Sequence, residues 1–412
     1  MKKKIKNITA REILDSRSNP TVEARVELES GAVGIASVPS GASTGIHEAH
    51  ELRDGDKGRY GGRGVLNAVK NINDIIRPAL LDSVADDQEA IDRKMIALDQ
   101  SINKANLGAN AILAVSLAVA RAAAVDSGLE LYQYLGKKTK SKAPTPLFNL
   151  LNGGAHASNN VDIQEFMVVP HGLSLDEAIR AGSEIYHTLG RILKERGLST
   201  AVGDEGGFAP NLASDEEAIR FLCQAITDSG YSFEKVGIAL DVASSEWFSG
   251  GKYHLPKRNE NVTADELIYR YKDLCEKYPI ISIEDGVAED DYDGWVKLTK
   301  ALGEKIMLVG DDFFVTNERR LREGIRLSAA NAILIKPNQI GTLIETLKVI
   351  SLAQDSGYKV IVSHRSGETN DTAISDIAVA VGAEFIKAGA PCRGERVAKY
   401  NRLSEIYTGF NE

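Results

Sequence analysis

Ala332-Ile333-Leu334-Ile335-Lys336 is a short apolar run that stops on an ammonium, and the same design recurs on both sides of it. Upstream lie Val236 to Leu240 ending on Asp241, Ile280 to Ile283 ending on Glu284, and Ile306 to Gly310 ending on Asp311. Downstream, Val360 to Ser363 ends on His364, and Ala383 to Ile386 ends on Lys387. The ionisable residues are 43, 27, 25, 28 and 23 positions apart, about one strand plus one helix and its loops. Parallel strands buried on both faces read as apolar runs. In a (β/α) barrel the reactive side chains stand where such runs stop, on the C-terminal rim. The spacing therefore predicts an α/β protein with a C-terminal (β/α)8-type barrel, its rim carrying three carboxylates, two lysines and a histidine.

Outward from these runs the texture changes. Thr21 to Leu28 alternates apolar and polar residues, the mark of a strand with one wet face. Glu29-Ser30-Gly31 turns into a second strand over 33–38, and helical patterning comes after Gly64. This predicts an N-terminal α+β capping domain over residues 1–130. Pro144 and Pro146 mark the boundary, and the barrel domain is expected over 140–412. Capping boxes at Ser174/Glu177, Ser214/Glu217, Thr263/Glu266 and Thr342/Glu345 announce its helices. A length of 412 residues suits one barrel of roughly 250 residues plus a smaller unit.

Net charge is −9, which argues against nucleic acid or anionic membrane as a partner. Residues 109–125 are apolar but carry Ser116 and Arg121 and fall short of the ~20 residues a span needs, so they read as a buried helix. Cys223, Cys275 and Cys392 are odd in number and form no C-x-x-C pair, which reads as buried free thiols in a reducing compartment. The basic start Met1 to Lys6 has no apolar stretch after it. The expectation is a cytoplasmic protein.

Three carboxylates converging on one rim repel one another unless a cation lies among them. Asp241, Glu284 and Asp311 offer hard oxygen donors without a thiolate, a set that suits Mg²⁺ better than zinc. Any one of them alone is more simply a helix cap; three on consecutive strands favour metal. Lys336 and Lys387 end buried strands. There a neighbouring cation lowers an ammonium's pKa and makes it a candidate general base. The alternative is a pair of ion-paired rim lysines. His364-Arg365-Ser366-Gly367-Glu368, before a helix expected near Thr369, reads as an anion cradle; otherwise Arg365 simply pairs with Glu368. Gly203 to Gly207, Asn152 to His156 with Gln164-Glu165, and the hydroxyl-bearing Pro39 to Gly45 are glycine-rich loops, each weak alone.

Read together, these stretches resemble the enolase (phosphopyruvate hydratase) family over nearly the whole chain. The resemblance rests on Asp15-Ser16-Arg17-x-Asn19-Pro20-Thr21-Val22-Glu23, Pro39 to Gly45, Asn152-Gly153-Gly154 with His156, and Gln164 to Met167. It extends through Gly203 to Gly207, Ser282 to Asp285, Gly310 to Asp312, Lys336 to Gly341 and Ser363 to Thr369. It implies reversible dehydration of 2-phosphoglycerate to phosphoenolpyruvate, with Lys336 as base, Glu205 as acid and Mg²⁺ stabilising the enediolate. Asp241, Glu284 and Asp311 would hold one Mg²⁺, and a second would arrive with substrate and engage Ser43. Arg365 and Ser366 would take the phosphate, Lys387 the carboxylate, and Gln164 the substrate, with His156, Glu165 and His364 in support. The resemblance also implies a place in glycolysis and gluconeogenesis and a homodimer or larger homo-oligomer. Some relatives occur at the cell surface, although Phe410-Asn411-Glu412 lacks the terminal lysine that surface-displayed relatives use to bind plasminogen.

Ser18 departs from the family's usual glycine, and the chain stops at Glu412 without the longer tail many members carry. Two rivals stand beside this reading. One is a superfamily enzyme for a non-phosphorylated carboxylate, disfavoured by Arg365-Ser366 and Glu205. The other is a binding protein without activity, disfavoured by the intact Lys336, Glu205 and acidic trio.

Overall fold

Alternation decides the N-terminal sheet. In the computed structural model, which describes residues 3–41, 45–136 and 142–409, strand β2 spans Pro20–Leu28. It pairs antiparallel with β1, Ile5–Leu14, and with β3, Val33–Ser37. Val22, Ala24, Val26 and Leu28 are fully buried on one face of β2, while Glu23 and Glu27 on the other pair with Arg11 and Lys6. The buried face receives the helix Ala109–Asp126. A Cβ at Gly34 would collide with the Ala118 carbonyl oxygen, so only glycine lets helix and sheet approach this closely. This helix is long and apolar enough to cross a membrane, yet 83% of it is buried against the rest of the protein. Its Arg121 pairs with Asp371 through both terminal nitrogens, at 2.5 and 2.7 Å.

The chain divides into two compact units. One gathers Met1–Lys142, Lys336–Ser351 and His364–Gly382; the other gathers Ala143–Ile335, Leu352–Ser363 and Ala383–Glu412.

The second unit is built on a closed eight-stranded barrel. Its strands are β4 (Thr145–Asn152), β5 (Glu165–Val169) and β6 (Gly237–Asp241), then, after a small antiparallel sheet of β7 (Phe248–Ser249), β8 (Lys252–Leu255) and β9 (Glu260–Val262), five more. These are β10 (Ile280–Glu284), β11 (Met307–Gly310), β12 (Ala332–Ile335), β13 (Lys359–Ser363) and β14 (Phe385–Lys387). All six apolar runs are therefore strands of one barrel. Side chains such as Met167, Ala239, Val309, Leu334 and Ile361 fill its interior.

One strand breaks the uniform (β/α)8 pattern. β5 runs antiparallel to both β4 and β6, while every other neighbouring pair is parallel. The first residue of β5 therefore lies level with the last residues of its neighbours: Glu165 pairs in register with Asn152 and with Asp241.

Three sequence readings need correction. The helix after the His364 loop begins at Ala373, not near Thr369, because Asp371 draws the Ala373 N–H as well as the Ser37 N–H and Arg121. The anion cradle at Arg365-Ser366 is thus a loop and owes nothing to a helix start. The three thiols are free but only partly buried. The Ser214/Glu217 box is half formed, since Glu217 accepts the Ala213 N–H instead of the Ser214 one.

Candidate active site at the barrel rim

Lys387 organises the rim. Its Nζ lies 3.1 Å from Glu165, 3.3 Å from Asp241 and 2.9 Å from Glu284, all almost fully buried. Four strands supply these groups, and register explains their meeting: Asp241 and Glu284 are lateral partners, as are Asp241 and Glu165. Burial would lower the lysine's pKa, but the surrounding carboxylates outweigh it and hold the ammonium charged well above its usual range. Burial raises Glu284 well above an ordinary carboxylate, and Asp241 and Asp311 raise it further against the pull of Lys387. Asp311, at the end of the next strand, is near enough to add to that rise. Glu165 is raised as well, by burial first and then by Glu205.

The second layer leads to Glu205. His156 Nδ1 stands 3.4 Å from Glu165 and 3.8 Å from Glu205, and Asn149 donates to Glu205 at 3.1 Å. Glu205 sits in a tightly packed loop. Gly206 has φ +88°, and a Cβ there would lie 2.7 Å from the Cys392 sulfur; one at Gly207 would strike the Asn152 side chain. The Ala390 N–H holds the Glu205 carbonyl at 2.9 Å. Gln164 donates to Asp241 at 3.2 Å, and the Ala243 N–H donates to its other oxygen at 3.0 Å.

In the other unit, both terminal nitrogens of Arg365 grip the Glu48 carboxylate at 2.9 and 3.0 Å, and one also donates to Asn338 at 3.0 Å. Glu368 accepts the main-chain N–H of Arg365 and of Thr369. Gly367 and Ser40 exchange two main-chain hydrogen bonds, at 2.8 and 2.9 Å. Asp15 fixes this clasp, accepting the Ser40 hydroxyl and the N–H groups of Arg17 and Asn19. Ser366 is buried beside Arg365.

The contacts therefore bring His156, Gln164, Glu165, Glu205, Asp241, Glu284 and Lys387 into one linked cluster. Lys336 and His364 directly follow β12 and β13. Ser43 lies outside the described residues. Glu48 and Asn149 were not picked out by sequence, and Asp285 only as the last residue of the Ser282 to Asp285 stretch, with no role given to it. Asn149 lies within an apolar strand, and the other two look like surface acids until the fold closes on them.

Among the described residues, two triads each bring their ligand atoms within 4.8 Å of one another, His156–Glu165–Glu205 and Asp285–Asp311–Asp312. The Asp241–Glu284–Asp311 set also offers only carboxylate oxygens, the donor type a hard divalent cation takes, and all three are buried.

A closed eight-stranded barrel with a buried cluster of carboxylates around a lysine at one rim, in a chain that also has an α+β unit, defines a TIM-barrel-type protein with an additional domain. Residues 5–135 match the family model described as "Enolase, N-terminal domain", and residues 140–411 match "Enolase, C-terminal TIM barrel domain". The chain belongs to the enolase family.

Proposed function

We propose that the chain is a glycolytic and gluconeogenic enolase, a hydro-lyase that interconverts 2-phosphoglycerate and phosphoenolpyruvate. The buried cluster in which Lys387 faces Glu165, Asp241 and Glu284 carries this reading, since a substrate carboxylate needs such a charged ammonium.

Lys336 takes the carbon-2 proton. Glu205, held by Asn149 and near His156, delivers the proton that lets the 3-hydroxyl leave as water. Lys387 binds the substrate carboxylate, which gains a second negative charge as the proton departs. Arg365 and Ser366 bind the phosphate, with Glu48 holding the plane of the guanidinium. Gln164, His156, Glu165 and His364 orient these groups. Asp241, Glu284 and Asp311 would hold Mg²⁺, and a second ion accompanying substrate would use Ser43. Bound Mg²⁺ would supply the positive charge that stabilises the enediolate, and the pairing of a Lys or His base with Mg²⁺ is the established pattern of enolase-superfamily sites. A cytoplasmic homodimer or larger homo-oligomer completes the proposal.

The test is isotope exchange at carbon 2. Wild-type protein with Mg²⁺ should wash deuterium from solvent into 2-phosphoglycerate, monitored by NMR. Lys336→Ala should keep its circular dichroism and lose that exchange. Exchange that persists in the variant removes Lys336 from the base role.

A further inference from the structure

Asp285 comes directly after the proposed ligand Glu284 and is buried. One of its carboxylate oxygens accepts the Asp311 N–H at 3.0 Å, and the other accepts the Asp312 N–H at 2.8 Å. Its own N–H donates to the Val309 carbonyl at 3.0 Å, so three hydrogen bonds tie it to the end of β11. Its carbonyl accepts the Ser244 hydroxyl at 2.7 Å and the Ser244 N–H at 3.2 Å, which ties it to the segment after β6. The backbone turns here through φ +43°, a conformation side-chain-bearing residues avoid unless the surroundings impose it. One residue thus fastens together the ends of β6, β10 and β11, the three strands that present Asp241, Glu284 and Asp311.

We propose that Asp285 is a positioning residue: it sets the main chain at Asp311, and through it the spacing of the three carboxylates that take the divalent cation. The inference rests on the reading of Asp311 as a metal ligand. The competing assignment makes Asp285 a ligand itself, in a separate site with Asp311 and Asp312, whose oxygens lie within 4.8 Å of one another. The geometry favours the brace, because each Asp285 oxygen already accepts a main-chain N–H that fixes the carboxylate against the backbone of Asp311 and Asp312, leaving only one lone pair on each for any cation. An aspartate is needed because asparagine offers one acceptor oxygen and would turn an NH₂ towards a second N–H. Groups that orient a metal ligand in this way typically change affinity 10- to 100-fold when altered.

Titrating metal-stripped full-length protein with Mg²⁺ alone, read by calorimetry, tests this without any turnover. Asp285→Asn should keep the wild-type number of bound ions and weaken the Kd about 10- to 100-fold. Its kcat at saturating Mg²⁺ should fall far less than its Mg²⁺ affinity. An unchanged Kd overturns the proposal, and so does the loss of one bound equivalent, which would make Asp285 a ligand. Asp311→Asn is the control. Undiminished Mg²⁺ binding in that variant overturns both this inference and the assignment of Asp311, whereas loss there with no change in Asp285→Asn overturns this inference alone. If Asp285→Asn does not fold, Ser244→Ala removes only the hydroxyl tie. It should weaken Mg²⁺ binding severalfold, and an unchanged Kd again overturns the proposal.

Discussion

Ser18 adopts φ +59°, the left-handed region in which a Cβ crowds the following carbonyl. The conformation is imposed from both sides: Asp15 accepts the N–H groups of Arg17 and Asn19, and the Ser18 N–H returns to the Asp15 carbonyl. This gives a physical reason for the glycine usual at this position in the family. Ser18→Gly should stabilise the protein by up to about 1 kcal/mol, read as a higher Tm, because relief of strain exceeds the added freedom of the unfolded chain. Glu48 yields a second expectation. Glu48→Gln turns an amide NH₂ towards the Arg365 guanidinium, so KM for 2-phosphoglycerate should rise about tenfold or more, roughly 1.4 kcal/mol, while kcat changes less. Inhibition by inorganic phosphate should weaken in parallel; an unchanged KM would show that Arg365 needs no such support. Among single residues, the sequence was most legible where ionisable groups coincide with strand ends, and beyond these mainly through glycine-rich loops, as for His156 and Glu205. Asp241, Glu284 and Lys387, which the structure brings into contact, announce themselves in the first way. Glu48 lies 317 positions from Arg365, and no local pattern joins them.

Among the strands and helices, the strand-end rule has one physical blind spot. It assumes that every strand runs the same way, so it looks for function at the close of a run. β5 runs in reverse, and Glu165 at its opening therefore reaches the same rim as Asp241 at the close of β6. Glu165 was visible only through its glycine-rich neighbourhood and the family motif. The helix Ala109–Asp126 was legible as buried because its composition is apolar nearly all round. What its single arginine does was not. Arg121 neutralises Asp371, whose carboxylate also draws the N–H groups of Ser37 and Ala373 and so ties sheet, helix and the 371–373 turn together. Burial would raise the Asp371 pKa, but Arg121 and the two N–H donors outweigh it and leave it lowered. A lowered folded pKa means that the group's stabilisation is present above the unfolded carboxylate range near 4. It is lost as pH falls through the folded value. Arg121→Met leaves that carboxylate buried without its cation and should cost about 3–5 kcal/mol at neutral pH. The deficit should shrink towards acid, where Asp371 becomes neutral, and urea unfolding at pH 7 and below pH 4 measures both ends.

At the largest scale, the barrel unit holds a few ionisable groups together in a buried setting that disfavours charge unless it is paired. The barrel unit was readable because parallel strands buried on both faces leave an unmistakable apolar texture, and β6 and β10 to β14 all carry it. The clustering of Lys336–Ser351 and His364–Gly382 with the N-terminal residues was not readable, because it arises from packing between segments about 200 or more residues apart. The proposition on which the rest depends is chemical: the carboxylates around Lys387 serve a metal-dependent dehydration of 2-phosphoglycerate. Purified protein given 2-phosphoglycerate should produce phosphoenolpyruvate, seen as rising ultraviolet absorbance, with Mg²⁺ present, and should stop when a chelator is added. No rise with metal-replete, folded protein, or a rise indifferent to the chelator, would contradict that proposition.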